Sequence, residues 1–570
     1  MPYFRFTCKT DDGDSFIADL QRRKSQVDGV PRTSVEVGSS SSMSSTNHKT
    51  GESSCLATLT SNYAKLPDHL KRCFDYCCIS IRYFMEKGKL VRLLLAEGLI
   101  QEKPGDIMED IAANIIRELI ALGMLHQERN GTELKVPSMY RQVSLIKSEK
   151  QDFLANAANS PLRVVIYDDG KDITSNFKSL IIRSLFVITA ERCSSSFGAT
   201  RTRGVSRASV ETFCGLQFLL VLDLDGEVEY LPNEVGDLVH LRYLGLVNSE
   251  LNELPQTLGN LQKLQTLDIR MCGKLHGLPI GVLSIQNLRH LLMSRCINDG
   301  EIRVPKGIGT LANLYTCTGV YAGDGIASEL GTLTQLRELG VKRVSEEHAS
   351  ELYAAIMKMK NLISLSLEAE TAYTDEDERL ALFPEFELFS PPPLVQELCL
   401  DGGLVEMPVW LASMSNLTRL ELYFSNLTEP PSTVLQFLPK LRHLSLHDAY
   451  RARCIDKEFC QEGGFPELQT LNITSTFLVD WTEIVNGAFP RLRSLSFNCS
   501  MLRFLPEGLQ NISTLEELSL IPLHGDLARR LNSVENYKIN HILKLEASFH
   551  YQRFPWIAYV GSPHAVLKQA

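Results

Sequence analysis

The 570-residue sequence predicts an α/β fold: a curved parallel-sheet solenoid of about fourteen repeats, preceded by a small, mainly α domain. Three observations lead there. A Leu-x-x-Leu-x-Leu unit or a close variant starts at Leu219, Leu241, Leu264, Leu288, Leu314, Leu336, Leu362, Val395, Leu417, Leu441, Leu468, Leu492 and Leu515, with a less exact copy at Ile182. An apolar-Pro pair follows several of these starts: Leu231-Pro232, Leu254-Pro255, Leu278-Pro279, Val304-Pro305, Met407-Pro408 and Leu505-Pro506. Upstream, the apolar residues recur at helical spacing instead, as in Leu90, Leu93 and Leu94 and then Ile107, Ile111, Ile115 and Leu119.

The elements follow in chain order. Residues 1–54 are polar and Ser-rich, with Ser39 to Ser42 in one run, so they bury too little apolar surface to offset chain entropy; a disordered leader is expected. Residues 55–153 read as short amphipathic helices broken at Pro104-Gly105, followed by a hairpin turning at Asn130-Gly131 between Leu125 and the pair Leu134 and Val136. Helices and then a hairpin are the parts of a winged helix. A linker is expected over 154–180, the repeats over 181–545 and a tail over 546–570.

Within each repeat, the first apolar residue and the Leu-x-Leu pair point inward from a short strand, and the residues between them point outward. One repeat alone cannot shield its leucines. Stacked neighbours enclose a continuous ribbon of them, each fully buried side chain stabilising by about 1.5–3 kcal/mol; the result is a leucine-rich-repeat solenoid. Proline lacks an amide donor, so the apolar-Pro pairs belong outside the ladder. The long gap between Leu362 and Val395 holds the acidic run Asp375 to Glu378 and then Pro391 to Pro393, and reads as a surface insertion.

Composition excludes several functions. The net charge of -10 gives no electrostatic drive toward DNA or anionic lipid, and the nine Lys or Arg between Cys55 and His126 are balanced by nine Asp or Glu, with no basic stripe. The 14 Cys are scattered without paired zinc spacing, as expected of reduced cytosolic thiols. No apolar run is long enough for a membrane span and Met1 to Lys9 do not read as a secretory signal, so a cytoplasmic protein is expected and the Asn-x-Ser/Thr triplets at Asn130, Asn416, Asn426, Asn472, Asn498 and Asn511, several of them supplied by the repeat itself, do not read as glycan sites.

Catalytic readings fail on the same residues. Leu219 to Asp223 imitates an apolar strand ending in a metal-binding Asp, and Gly277-Leu278-Pro279-Ile280 imitates an ATPase loop, yet both are in phase with the repeats. No Gly-x-x-x-x-Gly-Lys-Ser/Thr occurs to cradle a triphosphate, nor any Gly-x-Ser-x-Gly or His-Glu-x-x-His. No enzyme, cofactor or metal is therefore expected. The outward positions are better candidates: Asp268 and Arg270, Glu421 and Tyr423, Ser445 and His447, Asn472 and Thr474, and Ser496 and Asn498 should line the concave sheet, with His443 and His447 on the same side of one strand. Tyr, Arg and His anchor protein interfaces, so this set defines the expected partner surface.

Several longer segments resemble one family. Leu66-Pro67-Asp68-His69-Leu70-Lys71-Arg72-Cys73-Phe74-Asp75-Tyr76-Cys77 and Leu94-Leu95-Ala96-Glu97-Gly98-Leu99-Ile100 are similar to the winged helix of plant coiled-coil nucleotide-binding leucine-rich-repeat receptors. Met407-Pro408-Val409-Trp410-Leu411, His447-Asp448-Ala449-Tyr450, Gly464-Phe465-Pro466-Glu467-Leu468 and Leu505-Pro506-Glu507-Gly508 resemble the repeats of cereal-type members. The resemblance implies a disease-resistance receptor that recognises a pathogen effector, a guarded host protein or a full-length receptor. Two segments depart from it. Where the family has Met-His-Asp, whose His senses nucleotide, this chain reads Val136-Pro137-Ser138, and its Phe-Pro-Glu-Asp is replaced by Ile79-Ser80-Ile81-Arg82. The family's coiled coil and phosphate loop find no match, so binding of ADP or ATP is not expected of this chain alone. Two alternatives stay open: part of a nucleotide-dependent switch whose phosphate loop lies upstream or on a partner, and a leucine-rich-repeat adaptor of a ubiquitin ligase.

Overall fold

The computed structural model describes residues 3–7, 63–140, 162–168, 181–189, 205–293, 302–370 and 382–548, with short gaps inside some of these stretches. They divide into two compact units, 1–249 and 250–570.

In the first unit, three helices form the expected small domain: α1 (Asp68–Ser80), α2 (Lys87–Ala96) and α3 (Met108–Ala121). Their helical periodicity places Leu70, Phe74 and Cys77, Leu90, Leu93 and Leu94, and Ala112, Ile116 and Leu119 in one core. Glu109 and Asp110 occupy the first turn of α3, where carboxylates favour the helix dipole. The expected hairpin is there too: His126–Gln127 pairs antiparallel with Glu133–Lys135, which also pairs with Met85–Glu86 to complete a three-stranded wing. Val136 packs into this core and Pro137 is half-buried, while Ser138 lies outside the described residues.

The same unit carries the first repeat strands, Leu162–Asp168, Ile182–Thr189, Val221–Asp225 and Tyr243–Gly245, paired in parallel. Two expectations are corrected here. Leu162–Asp168 falls in the stretch read as a linker, and Tyr3–Thr7, in the stretch read as a disordered leader, pairs with it in parallel. Both segments are short β-branched and aromatic runs, which suit a strand without carrying the leucine spacing that marks the others.

In the second unit a parallel ladder runs from Thr266–Asp268 to Lys544–Ala547, most neighbours pairing without a register shift. The inward residues, for example Leu267, Leu291, Leu398, Leu420, Leu444 and Leu471, are essentially inaccessible to solvent. The apolar-Pro pairs do lie outside the ladder. Pro255, Pro279 and Pro408 each precede a turn of 3-10 helix, Gln256–Asn260, Ile280–Ser284 and Val409–Ser413, whose first amide needs no partner. Consecutive turns pack so closely that a Cβ on Gly259 would lie 2.7 Å from the Gly281 carbonyl oxygen. The acidic run Asp375 to Glu378 and most of the tail lie outside the described residues.

Candidate functional site

Outward residues on adjacent parallel strands stand side by side, so the register converts a one-dimensional pattern into files across the sheet. From Glu397–Asp401 through Arg419–Tyr423, His443–His447, Thr470–Thr474 and Ser494–Asn498 the pairing is regular and yields three files. One holds Glu397, Arg419, His443, Thr470 and Ser494; the next Cys399, Glu421, Ser445, Asn472 and Ser496; the third Asp401, Tyr423, His447, Thr474 and Asn498. Eight of the ten residues singled out from sequence therefore form one contiguous patch.

The patch is ordered by its own contacts. The Tyr423 hydroxyl donates to Glu421 Oε2 at 3.1 Å, and the Tyr423 and His447 rings stack in parallel, centroids 4.4 Å apart and planes 3° apart. Asn472 donates to Ser445 Oγ at 3.1 Å. Arg419 lies 3.8 Å from Glu397 and 4.0 Å from Glu421. Burial disfavours charge here: it raises the Tyr423 hydroxyl and lowers His447, and together with Arg419 and Arg442 it brings His443 down to about 4. Both histidines are thus neutral at pH 7. Burial, reinforced by Glu368, pushes the Asp401 carboxyl up to about 6 although Lys342 pulls it down.

Asp268 and Arg270 sit apart from that patch. Asp268 is fully buried rather than displayed, its carboxylate held by Arg270 at 2.7 Å, so Arg270 offers a partner a cation already engaged. Sequence reasoning also passed over Asp401, Cys399 and Arg419. Asp401 and Cys399 were findable from the unit beginning at Val395, at the spacing of the other paired candidates, and Arg419 from the one at Leu417, at the position His443 holds in its own unit.

In the first unit the corresponding outward positions are not free. Val165, Phe186, Val221 and Tyr243 share one core with Tyr76, Leu90 and the other helix residues. Charge follows the apolar contact. Glu97, at the end of α2 and 2% exposed, accepts from Arg163 at 2.8 and 3.1 Å and from Ser184 Oγ, while Arg183 donates to its main-chain carbonyl at 3.3 Å. Lys89 pairs with Asp223 at 2.7 Å. The residue that imitates a metal-binding Asp is thereby a structural counter-ion. The signal was legible only in part: Val165, Phe186, Val221 and Tyr243 are apolar at outward positions, but Arg163, Ser184 and Asp223 stand beside them on the same face and read as an open one.

Among the described residues there is no group of His, Cys, Asp or Glu fit to hold a metal, and no helix long and apolar enough to cross a membrane. A family model described as a leucine-rich repeat region matches residues 200–550, and one described as the disease resistance protein winged helix domain matches 81–143. The chain belongs to the plant disease resistance proteins that join a winged helix to leucine-rich repeats. This leucine-rich-repeat protein is 27% identical over 517 residues to the disease resistance RPP8-like protein 2 of Arabidopsis thaliana, covering 85% of this chain and 54% of that one. With disease resistance protein RPP8 of the same plant the identity is 26% over 520 residues, again 85% and 54%. The chain thus spans about half the length of the curated relatives it matches. Among solved structures, a leucine-rich-repeat protein of Leptospira interrogans aligns over 70% of this chain and 92% of its own at 21% identity, with a TM-score of 0.44.

Proposed function

We propose that this chain belongs to a plant intracellular immune receptor of the coiled-coil class, cereal type, and recognises a protein without catalysing a reaction. The partner is a pathogen effector, a guarded host protein or a full-length receptor, met in the cytoplasm. One observation carries this reading: the outward files from Glu397 to Asn498 are polar, aromatic and partly accessible, whereas the equivalent positions in the first unit are filled by helix residues. Side chains fixed on paired strands lose little freedom on binding, which favours recognition there. Co-precipitation with candidate effectors and receptors tests it. Alanine at Glu421, Tyr423 and His447 should weaken capture while melting stays unchanged, whereas Arg270→Ala also takes the cation at 2.7 Å from buried Asp268 and should lower the melting temperature; full capture by all four variants rules the surface out.

A second reading is favoured by the share of the relatives that the chain spans. A nucleotide-dependent switch would place its phosphate loop upstream or on a partner, with this portion receiving the switch through the winged helix. It predicts that ADP or ATP alters partner capture only when a nucleotide-binding portion is supplied with the chain.

A further inference from the structure

Resting on the recognition surface proposed above, and naming the chemistry of what it holds, we infer that the Tyr423 ring and Asp401 form a receptor for one arginine side chain of the partner protein. Tyr423 and His447 are directly opposite each other on neighbouring strands and stack in parallel, so their ring normals run across the strands. The free face of Tyr423 is therefore turned toward the strand on its other side, and the residue in register there is Asp401. With the strands about 5 Å apart, a guanidinium lying flat on the ring above the shorter Asp side chain can turn an N–H edge to the carboxylate, matching both the aromatic face and the charge.

Two further observations point the same way. In this chain arginines already cover tyrosine rings: Arg207 lies 4.1 Å from the centroid of Tyr230, Arg289 4.3 Å from Tyr315 and Arg163 5.2 Å from Tyr76. Among the described residues no cation covers Tyr423. The neighbouring acids are also spoken for, Glu421 by the Tyr423 hydroxyl and Glu368 by Lys342 at 2.9 Å, so among the described residues Asp401 makes no close ion pair and feels Lys342 only as a cation already engaged by Glu368. A half-buried carboxylate whose nearest cation is committed to another acid is poorly compensated, and an arriving guanidinium supplies a close counter-ion. Stacking of His447 behind Tyr423 holds the ring upright, so the receptor is formed before binding.

The test uses the full chain labelled with 3-fluorotyrosine, the Tyr423 resonance being assigned as the one lost in Tyr423→Phe. A capped pentapeptide with one central Arg is titrated against its Gln counterpart. Arg should shift the Tyr423 signal and Gln should not, with Asp401→Asn weakening the Arg response at least tenfold. Equal responses to Arg and Gln, or an undiminished response in Asp401→Asn, overturn the inference. Tyr423→Leu, with melting checked, should abolish partner capture as strongly as Asp401→Asn does. If capture depends on Glu421 and His447 yet ignores both of these substitutions, the arginine receptor is wrong and the recognition surface stands; if no outward residue matters to capture, the surface itself is wrong.

Discussion

Glu97 and Asp401 are both carboxylates out of bulk water, and their partners set opposite consequences. Glu97 is satisfied by Arg163, Ser184 and Arg183. Replacing it with Ala leaves Arg163, 5% exposed, as a buried cation stripped of its strongest counter-ion, which should destabilise the first unit by about 3–5 kcal/mol in chemical denaturation. Asp401 makes no close ion pair among the described residues, and burial, with Glu368 adding to it and Lys342 opposing it, raises its carboxyl from the ordinary range near 4 to about 6. The protonated form is therefore the one the fold prefers: its contribution to stability is fully present below about pH 4 and is lost as pH rises through about 6. Asp401→Asn should flatten the dependence of melting on pH across that window and raise neutral-pH stability by about 1 kcal/mol, since solvent still screens the site. Melting curves that keep their slope in the variant would show that another group sets it.

At the scale of elements, strands and turns impose separate demands. Leu267 is fully enclosed in the leucine ribbon, so Leu267→Asp places a charge where neither water nor a cation compensates it; a loss of several kcal/mol spreading into adjacent repeats is expected in a thermal melt. The turns are limited by approach instead. A Cβ on Gly281 would come within 2.4 Å of the Gln256 carbonyl oxygen, so Gly281→Ala should cost about 1–3 kcal/mol although alanine is apolar and small. These demands also explain what could be read in advance. The leucine strands were legible because each buries the same positions, and the wing because Asn-Gly turns have few other uses. Leu162–Asp168 lacks that leucine spacing, and its β-branched run suits a strand or a loop equally until Ile182–Thr189 pairs with it. Eight candidate site residues came out adjacent because alternation fixes side, and register followed. Exposure did not follow for every candidate: Asp268 stands at an outward position and is nevertheless covered, with Arg270 folded back onto its carboxylate.

For the molecule, the decisive contrast is between a sheet face packed against helices and one whose outward side chains stay partly accessible. Phe186 points from its strand into the core that Tyr76 and the helices share, its ring meeting that of Tyr76 edge-on at 6.2 Å. Phe497 is equally buried, but it points inward among the stacked repeats, near Trp481 at 6.0 Å. Truncating either ring to Ala should cost about 3–5 kcal/mol, because both leave a cavity in a packed environment. The spread of damage should differ. In a solenoid each repeat touches only its neighbours, so Phe497→Ala should speed amide exchange in the strands around Thr470–Thr474, Ser494–Asn498 and Glu517–Leu520 and nowhere else. Phe186→Ala should speed exchange in α1 and α2 as well as in its own ladder, since the winged helix and these strands have one core between them. If exchange in the helices stays unchanged, the stability of the winged helix does not depend on the first repeat strands, and the shared core is not the coupling element.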